Sequence, residues 1–150
     1  MTPTWTYDDG GSSLERKDCA VRAIAIAREV PYGAVCDELA PYIARERPRT
    51  RKRSHVHRGV RRVTIRRYLA AVGWQWIPTM GIRTGCRVHL RGEELPPGRL
   101  IVAVSKHMTA VIDGVIHDRH DPSRNGTRCV YGYWEEGNTS AESGRMLRCP

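Results

Sequence analysis

The stretch His107-Met108-Thr109-Ala110-Val111-Ile112-Asp113-Gly114-Val115-Ile116-His117-Asp118 places two largely apolar runs on either side of an Asp-Gly dipeptide. Asp-Gly accepts the positive φ angles that a two-residue hairpin turn demands, so these residues read as a β-hairpin. Such a turn pairs Ile112 with Val115, Ala110 with His117, Thr109 with Asp118 and His107 with His120. Side chains alternate faces along a strand. His107, Thr109 and Val111 therefore share a face with Ile116, Asp118 and His120. His107 and Asp118 become diagonal neighbours, roughly 7–8 Å apart between α-carbons, within reach of an imidazole–carboxylate hydrogen bond. His117 points the other way.

Outward from the hairpin, the second half of the chain stays β in character, with strands predicted over Arg99 to Ser105 and Cys129 to Trp134. The first half is helical. Asp18 to Arg28 is Ala-rich and mostly apolar, opens on a residue suited to an N-cap, and is stopped by Pro31. Its apolar positions cover most of the circumference, as in a helix buried on most sides. A second helix fits Tyr32 to about Arg45, with Val35, Leu39, Tyr42 and Ile43 on one stripe. A third fits Thr64 to Val72, capped by Thr64 and ended by Gly73. Trp74 to Ile77 reads as a strand, Met80 to Pro97 is broken by Gly and Pro, and the first 17 residues read as turn and loop. Helices followed by an antiparallel sheet make an α+β order rather than alternating βαβ.

The 150 residues allow one domain, placed at 1–134 and followed by a polar tail over 135–150. Phe is absent, so four Trp and six Tyr must supply every large ring. No run approaches the roughly 18 apolar residues of a membrane span. Met1 to Gly10 lacks the basic start and apolar centre of a secretory signal, which predicts a cytoplasmic protein. The net charge of +9 is local. Eleven Lys or Arg lie between Arg45 and Arg67 with one acid, Glu46, while the remaining residues hold 14 basic and 15 acidic groups. Such a segment can hold nucleic acid or an acidic partner through charge, or can be a solvated loop over residues 45–62. Its low apolar content predicts mobility.

Five Cys (19, 36, 86, 129 and 149) show no C-x-x-C and no C-x-C, which argues against a structural zinc site. Without a signal sequence a disulfide framework is not expected either, and the thiols read as reduced. Cys19 differs from the others in its position at the first turn of the most buried helix. Unpaired amides and the helix dipole stabilise a thiolate there, and the same amides can donate to a developing oxyanion. A nucleophilic Cys needs a His to take its proton and a third group to orient that His. His107 and Asp118 are the pair selected by the hairpin register. His55, His57 and His89 fall in loop regions and read as solvated.

The order Cys, His, Asp, with the Cys opening a buried helix and the others on a later sheet, resembles papain-like cysteine peptidases. The D-C start of the helix and H-x-x-A-V-I-x-G look like the bacterial branch, the cell-wall endopeptidases and bacteriocin-leader peptidases. Y-D-D-G-G (Tyr7 to Gly11), D-C-A-V-R-A-I-A-I-A (Asp18 to Ala27), P-Y-G-A-V (Pro31 to Val35) and the hairpin are similar to a family of small bacteriophage and actinobacterial proteins. The likeness runs from about Trp5 to Trp134. It implies a papain-like fold, N-terminal helices packed on a C-terminal antiparallel sheet. It also implies Cys19 as nucleophile, His107 as general base and later acid, and Asp118 as the group orienting His107. The activity implied is cleavage of an amide or isopeptide bond in a protein or peptide by a monomer without cofactor or metal, in the host cytoplasm if phage-encoded. Papain-like enzymes carry a Gln about six residues before the Cys as an oxyanion donor; here Ser13 stands in that place, with Ser12 and Lys17 nearby. Asp121, followed by Pro122, resembles the acid-Pro pair of some bacterial relatives and is the rival to Asp118. A non-catalytic protein holding nucleic acid or an acidic partner through Arg45–Arg67 is the alternative. Deamidation or acyl transfer by the same three residues fits the sequence equally.

Overall fold

A computed structural model describes residues 4–11, 17–47 and 53–137. Its order is β1 (Trp5–Tyr7), α1 (Cys19–Arg28), α2 (Tyr32–Ala44), α3 (Arg62–Ala71), β2 (Trp74–Pro78), β3 (Arg99–Val104), β4 (His107–Ile112), β5 (Val115–Asp118) and β6 (Gly132–Glu136). The fold is α+β, as the helix-then-strand order predicts. The β4–β5 hairpin has the expected register, Ala110 opposite His117 and Ile112 opposite Val115. Asp113 (φ 48°) and Gly114 (φ 81°) both take the left-handed conformation that a tight turn of this hand requires.

The six strands form one sheet in the order β1-β5-β4-β3-β6-β2. It is mixed, which corrects the expectation of a purely antiparallel sheet, because β1 runs parallel to β5. Trp5–Tyr7 had been assigned to loop: three residues are too few for alternation to register, and the strand is stabilised by covering the open edge of β5. Tyr7 lies opposite Asp118, and the Asp8 amide donates to the Asp118 carbonyl at 2.9 Å.

Alternation along β3 divides the core. Ile101 and Ala103 join Val21, Ile24, Leu39 and Leu69 on the helical side, with Tyr68 and Trp134 as the large buried rings. Leu100, Val102 and Val104 pack with Leu90, Val111, Ile116 and Val130 on the other side. Helix α1 lies across β3, β4 and β5, which brings its N-terminus to the end of the sheet where β4 starts and β5 finishes. Three boundaries differ from expectation. Helix α3 begins at Arg62 with Thr64 buried inside it, β6 is displaced to Gly132–Glu136 and takes in the start of the presumed tail, and Met80–Pro97 holds one short 3-10 turn at Gly92–Glu94.

Cys86 and Cys129 are joined by a disulfide, against the expectation of reduced thiols. No local spacing announces this pair. An isolated bridge between His89 and Cys129 brings the two loops together and leaves the Cys86 and Cys129 α-carbons 5.7 Å apart, inside the range a disulfide spans.

The basic segment is also more ordered than its composition implies. Residues 48–52 lie outside the described residues, but 53–62 are anchored by the one acid of the region. The Glu46 carboxylate, buried, accepts the Ser54 amide at 2.9 Å and the Ser54 and Thr64 hydroxyls, with Arg61 at 3.8 Å. Val56 and Val60 then pack against the helical core. Burial opposes the charge on Glu46, but these donors outweigh it and hold its carboxyl below the usual range. Glu46→Ala orphans several buried donors and is expected to lower stability by about 3 kcal/mol. A folded-state pKa below the unfolded one means the wild-type advantage is present above about pH 4 and lost as pH falls further. Urea melts of both proteins at neutral and acid pH check this; equal midpoints at neutral pH would show that the segment is not anchored here.

Candidate active site

Cys19 is the first residue of α1, half-buried, so its amide has no partner within the helix. Its thiol stands beside His107 and the Met108 backbone N–H, both of which favour the ionised sulfur. His107, the first residue of β4, presents Nε2 to Asp118 Oδ2 at 2.8 Å, leaving Nδ1 as the nitrogen available to the thiol. Asp118 is 4% exposed and also accepts the Arg119 amide at 2.7 Å. The three residues picked out by the hairpin register and the helix start thus meet at one end of the sheet, the imidazole bonded to Asp118 and sharing a cleft with Cys19.

The electrostatics follow from this geometry. Burial alone would push the Cys19 thiol up, but the hydrogen bond and charge of His107, the Met108 amide and Arg22 together bring it below its ordinary value. Burial would push His107 down, yet the bonds to Asp118 and Cys19 raise it to about 9. Burial likewise opposes ionisation of Asp118, and the His107 bond overrides it, lowering its pKa. These shifts all favour a thiolate beside an imidazolium, with Asp118 ionised.

Asp18, adjacent to the thiol, would by itself oppose that thiolate. It does not act as a side-chain N-cap. Its carboxylate is instead bound by Arg22 one turn along α1 and by the Tyr32 hydroxyl at 2.6 Å. Arg22 is buried and also lies 3.9 Å from Asp118, so one guanidinium balances both carboxylates beneath the site. Gly10 (φ 63°) presses against this turn of α1; a Cβ there would lie 3.0 Å from the Arg22 carbonyl oxygen. Arg22 was visible as a charge interrupting the most apolar helix, and a charge buried in such a helix needs a partner; its role went unread because both partners are set by tertiary contacts.

Other candidates fall elsewhere. Asp121 is exposed and accepts the Ser123 amide at 2.9 Å in the turn after β5, away from His107. The place of the papain-like Gln, at Ser13, and its neighbour Ser12 lie outside the described residues. His117 faces Asp8 at 3.7 Å, and His120 only stacks near His107, with centroids 5.5 Å apart. Two histidines read as solvated are engaged: His57 meets the Tyr32 hydroxyl at 2.9 Å, and His89 pairs with Glu94 at 3.2 Å. Among the described residues no three His, Cys, Asp or Glu side chains group as metal ligands do, and no helix is long and apolar enough to cross a membrane.

A cleft of about 220 Å³ opens over Cys19 and His107. Val21 and Met108 form part of its floor, Val56 and Val60 one wall, and Lys17, Arg62 and Lys106 supply positive charge. That residues of the basic segment line the site is set by tertiary contacts and is not announced by composition. No family model, no curated protein and no solved structure matches the chain.

Proposed function

We propose that the chain is a papain-like thiol hydrolase that cleaves an amide or isopeptide bond through an acyl-enzyme. The observation that carries this reading is the His107 ring bonded on one side to Asp118 and standing on the other beside Cys19, over an accessible cleft lined by both. In the acylation step the Cys19 thiolate adds to the carbonyl carbon, and the N–H groups at the start of α1 donate to the oxyanion. The C–N bond then breaks as protonated His107 passes its proton to the leaving amine, giving a thioester and a free amine. In deacylation His107 takes a proton from water, the resulting hydroxide displaces the Cys19 thiolate from the acyl carbon, and a carboxylic acid leaves with the thiolate–imidazolium pair restored. Asp118 fixes the ring and stabilises the imidazolium. The Cys–His–Asp order and the packing of a Cys-bearing helix on antiparallel strands support a papain-like assignment within the α+β class.

The test uses p-nitrophenyl acetate with the purified chain. A burst of nitrophenol stoichiometric with enzyme, one acetyl group located on Cys19 and no burst from Cys19→Ala are the expected results. Acetylation scattered over lysines and Cys36, without a burst, overturns the reading.

A further inference from the structure

The cations around Cys19 belong to a larger arrangement. Among the described residues lining the cleft, Lys17, Arg62 and Lys106 are positive, and the one acid, Asp18, is balanced by Arg22. Arg62 also lines an adjoining groove of about 310 Å³ together with Arg47, Arg61 and Arg67. Among the described residues lining that groove the one acid, Glu46, is buried and engaged by Ser54, Thr64 and Arg61. Arg62 is therefore the shared wall of two depressions, one holding a thiol and the other carrying net positive charge, four arginines against one carboxylate. Its guanidinium donates to the Val104 carbonyl at 2.5 Å and sits 5.7 Å from the Tyr131 ring centroid. Both partners are neutral, so they fix the group in position without cancelling its charge. Among the described residues no carboxylate lies within ion-pair distance of Arg62 or Arg67.

A guanidinium held in place loses little freedom on binding a carboxylate and can meet it through two parallel bonds. The apolar floor next to Cys19 suits an uncharged residue at the cleaved bond, with acids beyond it along the arginine groove. We infer that the substrate is an acidic polypeptide, its acyl side bearing carboxylates that bind Arg62 and run along Arg47, Arg61 and Arg67; this rests on the thiol-hydrolase reading above. A nucleic acid would satisfy the groove but offers the thiol no peptide carbonyl, which is why the polypeptide is preferred.

The full chain is treated with two peptidyl chloromethyl ketones that differ only in carrying Glu or Gln at the two residues before an alanyl warhead, with iodoacetamide as an uncharged control. Alkylation of Cys19 is followed by mass spectrometry. The Glu reagent is expected to react about tenfold faster at low salt, the worth of one or two charge-assisted bonds. High salt should erase most of the preference, and so should Arg62→Ala or the pair Arg47→Ala with Arg67→Ala. Iodoacetamide rates should stay within about twofold in the groove pair, which lies away from the thiol. Equal Glu and Gln rates with a thiol that still reacts rapidly with iodoacetamide overturn the acidic-substrate inference and leave the hydrolase reading standing. A thiol no faster than Cys36 towards all three reagents removes both. Binding of a single-stranded DNA oligonucleotide that the Glu peptide cannot displace assigns the groove to nucleic acid and also overturns the inference.

Discussion

His107→Ala is expected to slow iodoacetamide alkylation of Cys19 at neutral pH by more than about tenfold, because the hydrogen-bonding and charge of the ring are what lower the pKa of a half-buried thiol. A neighbouring opposite charge is worth about one pKa unit or more, and one unit is about tenfold in thiolate fraction while the thiol is mostly protonated. The rest comes from burial, which pushes the thiol up and is no longer opposed once the ring is gone. The pH profile carries the sign. In the wild type Cys19 is depressed and His107 is raised to about 9, so the rate should begin to rise at lower pH than in the variant, and the imidazolium beside the sulfur persists until pH approaches 9. In the variant the rate should rise only in the alkaline range. Alkylation rates measured from acid to alkaline pH check this, and superimposable profiles would dissolve the ion pair on which the proposed function depends.

Asp118→Asn should bring His107 down from about 9 towards its ordinary value, since an amide can keep a hydrogen bond to Nε2 but supplies no negative charge. A neighbouring carboxylate is worth about one to three pKa units, so a fall of about two units leaves roughly half of the rings protonated at neutral pH, and thiol reactivity there is expected to fall a few-fold, more at about pH 8. The substitution is not silent for the fold. Asp118 is buried and shared with Arg22 and the Arg119 amide, and a loss of about 1–2 kcal/mol is expected. Asp121→Asn should change neither quantity by much, because its carboxylate serves the turn at Ser123. NMR titration of the His107 ring in both variants decides between the acids. A shift caused by Asp121→Asn and not by Asp118→Asn would transfer the orienting role to Asp121.

The site was more legible than the fold around it, and the reason is local. Asp113-Gly114 fixes a two-residue turn, the turn fixes the register, and the register alone brings His107 and Asp118 together. Cys19 was legible because a helix start is marked by composition. What escaped detection depends on contacts between distant segments. Arg22 is recognisable only as a charge in an apolar helix until Asp18 and Asp118 are placed beside it. Glu46 was counted as one minus sign among eleven plus signs, yet its burial is what converts residues 53–62 into a wall of the cleft. The Cys86–Cys129 bond joins residues 43 apart, and β1 was too short to show a period.

The parallel pairing of β1 with β5 has a consequence for how the chain is made. Trp5 meets Ile116 roughly 110 residues later, so this contact closes among the last during synthesis on a ribosome. The helix bearing Cys19 leaves the exit tunnel long before His107 and Asp118 are polymerised. A half-translated chain therefore exposes a plain thiol with no base to arm it. When β5 arrives, the first strand must still be waiting, unspent on another partner, to cap the backbone of Asp118 through Tyr7 and Asp8. The order of translation thus serves as a safety catch, released only after residue 118 has emerged and the hairpin carrying His107 and Asp118 can close.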